Sequence, residues 1–235
     1  MNLEEILQEG FRELELPLDE AALGRFRRYA ALLAEKNAVM NLTAIEGEED
    51  TARLHFLDCA ALLRMEELRG KSLIDVGTGA GFPGMVLKIA CPELELTLLD
   101  SLDKRIGFLR ECCEALELDG VRCIHARAEE APAAFRGAFD AASSRAVARL
   151  RVLCELCLPL LKKGGVFLAM KGPDCREETD EAERAIRLLG GSLEQIRDYR
   201  IPGSDIRHSV VVIRKTGETP EKYPRPWAQI KKKPL

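Results

Sequence analysis

Ile74-Asp75-Val76-Gly77-Thr78-Gly79-Ala80-Gly81-Phe82-Pro83-Gly84 decides how this chain is read. An apolar run from Ser72 ends in glycines at alternate positions, and a helical pattern follows across Met85–Cys91. Glycine tolerates positive φ and lets a ligand approach the main chain where a Cβ would clash, so a strand–glycine turn–helix unit is built to cradle a small molecule. The same grammar repeats outward from this turn. Strands are expected at Leu94–Leu99, Val121–His125, Ala138–Ser143 and Val166–Met170, with helices over Lys104–Leu118 and Val152–Leu161. A helix near Glu177–Leu189 precedes two more strands, Ser192–Arg200 and Ser209–Lys215, joined only by Ile201–His208. Strands alternating with helices predict an α/β fold, a mostly parallel sheet covered on both faces. The short last connection predicts an antiparallel hairpin at one edge.

Residues 1–66 read differently. Leu3, Ile6, Leu7, Gly10, Phe11 and Leu14 form one helical stripe, Pro17 breaks it, and Asp19 is placed to cap a second helix carrying Leu23, Phe26, Ala30 and Leu33. Asn41-Leu42-Thr43 is a break, and a third helix runs from about Glu48 with Leu54, Leu57, Ala61 and Leu62 inward. The division expected is a helical cap (1–66), an α/β domain (67–216) and a basic tail (217–235). At 235 residues, 46% hydrophobic and 31% charged, the chain can bury a sizeable core. No apolar run is long enough to span a membrane, and Met1-Asn2-Leu3-Glu4-Glu5 is acidic where an export signal would be basic, so a cytoplasmic protein with reduced thiols is expected. The net charge of −4 means that any basic surface is local, and Glu221–Leu235 carries five Lys/Arg against one Glu.

Two ligand classes use such a turn. Gly79–Gly84 matches the G-x-G-x-x-G of dinucleotide sites, but the first glycine after the strand is Gly77, which makes the pattern G-x-G-x-G. Asp75, two residues earlier, would repel a pyrophosphate and suit a cation. S-adenosylmethionine carries a sulfonium and an α-amino group, so the turn reads as a methyl-donor site with Asp75, Gly77, Gly79 and Gly81 in the pocket. Asp100 ends the second strand, where an acid accepts ribose hydroxyls; it would serve equally as a cap for the helix starting near Leu102. Glu129 follows the third strand, where an adenine edge would rest, although beside Glu130 it also reads as a solvated charge. Arg145 ends the fourth strand, with Arg149 close behind. All lie at carboxyl ends of strands, the face on which open parallel sheets bind ligands.

Other motifs are weaker. Cys154-x-x-Cys157 and Cys112-Cys113 fall among apolar helical residues and read as core thiols, so no metal is expected. His55 and Asp58 stand three apart on a helix and form at most a local pair. His125 reads as structural.

Taken together, Asp75–Gly84, Asp100-Ser101-Leu102-Asp103-Lys104-Arg105, Ser144-Arg145-Ala146, Lys171-Gly172 and Arg207-His208 resemble the small-subunit ribosomal RNA methyltransferase G family, also called glucose-inhibited division protein B. Asn41-Leu42-Thr43, His55-x-x-Asp58 and Lys222-Tyr223-Pro224-Arg225 extend the resemblance over nearly the whole chain. It implies a seven-stranded, Rossmann-like methyltransferase sheet with an N-terminal helical cap, and methylation of N7 of one guanine in 16S rRNA. The partner would be small-subunit rRNA or the assembling 30S subunit. Cofactor positions carried over are Gly77, Phe82, Ala128, Glu129 and Arg145, with Ser101 and Leu102 beside Asp100. Arg145 and Lys171 are the candidates for the reaction centre, and Arg149, Arg207, His208 and Lys231–Lys233 for RNA contact. Trp227 or Tyr223 would stack on an exposed base. Cys59 stands where the family usually has Ser, and Trp227-Ala228-Gln229-Ile230 where it favours Gly-x-Pro. A small-molecule methyltransferase and a nucleotide- or RNA-binding adaptor without catalysis remain alternatives at this level.

Overall fold

The computed structural model describes residues 1–235. Its strands are β1 (Ser72–Val76), β2 (Glu95–Asp100), β3 (Val121–His125), β4 (Phe139–Arg145), β5 (Leu161–Lys171), β6 (Gly191–Arg200) and β7 (Arg207–Lys215). They form one seven-stranded sheet in the order β3-β2-β1-β4-β5-β7-β6. β1 to β5 pair in parallel, and β7 runs antiparallel to both β5 and the edge strand β6. The edge hairpin therefore forms as expected, with β7 as its inner strand.

The helices are α1 (Leu3–Glu13), α2 (Glu20–Met40), α3 (Glu48–Asp50), α4 (Asp58–Ala60), α5 (Gly84–Ala90), α6 (Asp103–Ala115), α7 (Leu150–Cys157), α8 (Arg176–Leu188) and α9 (Trp227–Lys232). Strand side chains alternate between faces, and this alternation sorts the interior into two cores. Leu73, Leu96, Leu98, Ala141, Val166 and Leu168 point to one face and pack with α1, α2, α5 and α6. Ile74, Val76, Leu99, Ala142, Phe167 and Ala169 point to the other, beneath α7, α8 and the C-terminal segment. Cys154 and Cys157 lie in this second core with no exposed surface.

Residues 1–66 form a layer over the first face and share its core. Phe11, Phe26, Tyr29, Phe56 and Phe82 make a chain of ring contacts from α1 to the glycine turn. Asn2 closes a capping box on α1, and Asp19 accepts the Ala22 N–H at 2.7 Å to cap α2, which satisfies main-chain donors at both helix starts. The third helix differs from expectation: between α3 and α4 the chain winds as a π-helix over Thr51–Leu57, and a 3-10 turn, Ala61–Arg64, ends it. Wider π turns occur where a helix serves a site. Here the Leu54 carbonyl accepts an outside donor, Arg145 Nη1, at 3.0 Å.

The C-terminal segment is folded against the second face. Tyr223 and Ile230 are buried, so Tyr223 is not available to stack on an RNA base as expected from its composition; a buried ring in a basic stretch is an anchor. Arg136 donates to the carbonyls of Thr219, Pro220 and Tyr223. Arg225 places its main-chain N–H, Nε and Nη2 on the carboxylate of Glu155, at 2.9, 2.8 and 2.6 Å, and Glu155 has no exposed surface. Removing one partner of such a pair leaves a buried charge, which costs about 3–5 kcal/mol. Arg225→Met should therefore lower the urea-unfolding free energy by about that amount, and adding Glu155→Met should restore most of it. Equal stability of the single variant and wild type would show that the strap is not anchored there.

Candidate active site

A cleft of about 920 Å³ opens at the carboxyl ends of β1, β2, β3, β4 and β5, roofed on one side by the layer of residues 1–66. Gly77 (φ +70°) and Gly79 (φ +61°) form its floor in the left-handed region that favours glycine. A Cβ on Gly79 would meet nothing within 4 Å, so the space above this main chain is open for a ligand. Phe82, Asp100, Ser101, Ala128, Glu129, Arg145, Lys171 and His208 also line the cleft.

Three expected pocket residues lie elsewhere. Asp75 is wholly buried behind the turn: its carboxylate accepts the Thr78 hydroxyl at 2.6 Å, the Gly84 N–H at 3.0 Å and the Ser143 hydroxyl at 2.9 Å. The cation-attracting role assigned to it is thus overturned by geometry, since it braces the turn from beneath. Gly81 faces inward, where a Cβ would collide with Met85 and the Tyr29 hydroxyl. Leu102 points to solvent. Asp100 accepts the N–H groups of Leu102 and Gly79, both at 2.9 Å, so it steadies the turn and the approach to α6 together. Arg105 Nη1 stands 3.4 Å from the same carboxylate, so three of about four acceptor positions are taken and one is left towards the cleft. Glu129 pairs with Arg127. Of the expected RNA-contact residues, Arg207 and Lys231–Lys233 are exposed, Arg149 is exposed and reaches Glu181 at 3.4 Å, and His208 is half-buried.

Arg145 is the hub. Its Nη1 donates to the Leu54 carbonyl and to Asp58 (3.2 Å), its Nη2 to His55 Nδ1 (2.8 Å), and its guanidinium stands 4.9 Å from the centre of the Phe82 ring. His55 stacks on the same ring at 4.2 Å. An arginine only donates, so His55 Nδ1 is the acceptor and its proton sits on Nε2, facing the Thr43 hydroxyl at 2.9 Å. Burial, reinforced by Arg145, drives the His55 pKa down to about 3, which keeps the ring neutral. Asp58, almost wholly buried, also accepts the Tyr199 hydroxyl at 2.6 Å and His208 Nδ1 at 2.8 Å. That hydrogen bond raises the His208 pKa against the lowering effect of burial, while burial and Asp58 push the Tyr199 hydroxyl up. The sequence showed His55 and Asp58 only as a local pair and gave no sign of Tyr199. His125 lies outside the cleft, beside Asp103 and the Ser101 carbonyl.

The family model described as rRNA small subunit methyltransferase G matches residues 22–208. Proteins named ribosomal RNA small subunit methyltransferase G are 46% identical in Alkaliphilus oremlandii and 43% identical in Clostridium tetani, each over the whole of both chains. Among solved structures, TrmN from Thermus thermophilus (TM-score 0.53, 24% identity) aligns with 67% of this chain and 48% of its own. M. jannaschii TYW2 in complex with AdoMet (TM-score 0.54, 13% identity) aligns with 67% and 74%. These two likenesses show the fold.

The neutral state of His55 has a measurable consequence. Between pH 6.5 and about 3 the unfolded chain takes up the proton that folded His55 refuses, so acidification costs stability by up to ~1.4 kcal/mol per pH unit from this residue. His55→Asn keeps an acceptor for Arg145 and removes that loss. Between pH 7 and pH 5 the unfolding free energy of the variant should fall by about 2 kcal/mol less than that of wild type. His208, with a raised pKa, gains stability on protonation in both proteins and cancels in the comparison. Parallel pH profiles would contradict the assignment.

Proposed function

The chain belongs to the rRNA small subunit methyltransferase G family, and we propose that it transfers the methyl group of S-adenosylmethionine to N7 of a guanine in small-subunit ribosomal RNA. The observation that carries this reading is one continuous cleft: the nucleoside-binding strand ends, Gly77, Gly79, Asp100 and Ala128–Glu129, open directly onto a wall holding Arg145, Lys171 and His208. The residues present fit the donor, with an open floor over Gly79, an acid at the ribose position and strand ends free for a base. When bound, S-adenosylmethionine supplies an electrophilic methyl group on a sulfonium.

The work left to this chain is alignment and charge management. Guanine N7 is a free acceptor on the major-groove edge, so no proton must leave before it attacks. A neutral His55 and a carboxylate already committed to three donors are consistent with a site that needs no general base. Positive charge passes from the donor to the purine during transfer. Arg145 does not oppose this, because Asp58 pairs its charge. Three of its five N–H groups are engaged in holding the wall, and the others are free to meet guanine O6. Lys171 is held by Glu178 at 2.8 Å and the Ala148 carbonyl at 2.9 Å with little of its side chain exposed, so it fixes this wall of the cleft. Holding reactants in line is worth up to ~7–11 kcal/mol without acid–base chemistry. The target guanine enters unstacked. No helix is long and apolar enough to cross a membrane.

The test is to incubate the protein with labelled donor and undermethylated small subunits or naked rRNA, then map the label by cleavage at N7-methylguanine. A single labelled guanine is expected. Label on another atom, or none on either substrate, would overturn the proposal. Arg145→Lys keeps a charge for Asp58 but loses the fork that reaches three partners. It should lower transfer about tenfold or more, a barrier change of roughly 1.4 kcal/mol.

A further inference from the structure

The chain contains one tryptophan, Trp227, and it stands in the wall of the cleft. Its ring, about a third exposed, lies 5.3 Å from the Arg127 guanidinium carbon, and Arg127 is held in turn by Glu129. These contacts fix the ring beside the segment that follows β3. The segment beneath is apolar: Ala126, Ala128 and Leu156 pack in the same cluster as Ile230, one turn along from Trp227 in α9. The ring is also held in place before any ligand arrives. Arg225 is clamped on buried Glu155, Arg136 holds three tail carbonyls, and Tyr223 and Ile230 are buried on either side of Trp227. A preset aromatic surface loses little freedom on binding.

The sheet order says which base such a ring would meet. Asp100, at the end of β2, is the ribose position. β1 and β4, with Gly77 and Arg145, lie on one side of it, and β3, with Ala126–Glu129, on the other. With the sulfonium end near Gly77 and Arg145, the adenine falls on the β3 side, under Trp227. The acceptor side of the cleft, with Arg145, Lys171 and His208, is at the opposite end of the strand order.

Resting on the donor reading above, we propose that Trp227 closes the nucleoside end of the cleft and stacks on the adenine of S-adenosylmethionine, making the C-terminal strap part of the donor site. A base–aromatic stack accounts for about tenfold or more in affinity.

Because Trp227 is the only tryptophan, its emission reports this contact without any variant. The full chain is titrated with S-adenosylhomocysteine, in the absence of RNA, by calorimetry and by tryptophan fluorescence. An emission change that saturates with the same dissociation constant as the heat is expected. Trp227→Ala should bind about tenfold or more weakly with an unchanged melting curve, and Trp227→Phe should bind within about threefold of wild type. Heat of binding with unaltered emission, together with wild-type affinity in Trp227→Ala, would overturn the proposal. So would emission that responds to a small-subunit rRNA fragment and not to the nucleoside, which would assign the ring to an RNA base. No heat at all with wild type would overturn the donor reading itself, and the role of Trp227 with it.

Discussion

A carboxylate with no exposed surface holds the glycine turn in shape. Asp75 sits near the end of β1 and gathers the Thr78 hydroxyl, the Ser143 hydroxyl and the Gly84 N–H, which ties β1, β4, the turn and the start of α5 to one point. Burial pushes its pKa up, and the three hydrogen bonds pull it back towards the charged form. The approach is so close that a Cβ on Gly84 would stand 3.0 Å from the carboxylate and 2.6 Å from Leu98, so position 84 has room only for glycine. With the turn pinned from beneath, Gly77 and Gly79 are held at the floor of the cleft. Gly79 in turn donates to Asp100, which extends the bracing to β2.

The second shared device joins the two halves of the cleft. Phe82 leaves the turn and is covered by both His55 and Arg145, while Asp58 collects Arg145, Tyr199 and His208. The turn, the π-helical segment, β4 and the edge hairpin therefore meet in one buried network. A break in a buried polar network leaves charges unpaired, so these elements hold or lose their positions together. This couples the placement of the donor to the wall that receives the acceptor.

The sheet was legible because its strands carry short apolar runs, such as Leu73-Ile74, Leu98-Leu99, Val166–Met170 and Val210–Ile213, set between helical patterns. β1 and β3 fall on the residues expected, and the short Ile201–His208 connection gave the edge hairpin. Directions of side chains were harder. Asp75 alternates with Ile74 and Val76 and so shares the face of Leu73, which lies in the core under α5. That parity is present in the sequence, and it outweighs the attraction of a carboxylate for a cationic ligand. The Asp58 network was hidden because its partners are 87 to 150 residues apart in the chain, and no local pattern says which distant elements meet. In the tail, the count of basic residues drew attention to Lys231–Lys233, while the three residues that set its conformation, Tyr223, Arg225 and Ile230, were too few to show a period.

Asp75 shapes the turn without touching the donor. Asp75→Asn keeps the size of the side chain and an acceptor for Thr78 and Gly84, and Ser143 can turn to accept from the new amide. The decisive measurement is the affinity of this variant, by calorimetry, for S-adenosylmethionine and for methylthioadenosine, which carries neither the sulfonium nor the amino group. If the carboxylate acts only through the turn, whose hydrogen bonds the amide retains, any change in affinity is small and the same for both ligands. A loss confined to the charged ligand, with methylthioadenosine bound as in wild type, would place Asp75 against the cation and contradict the account.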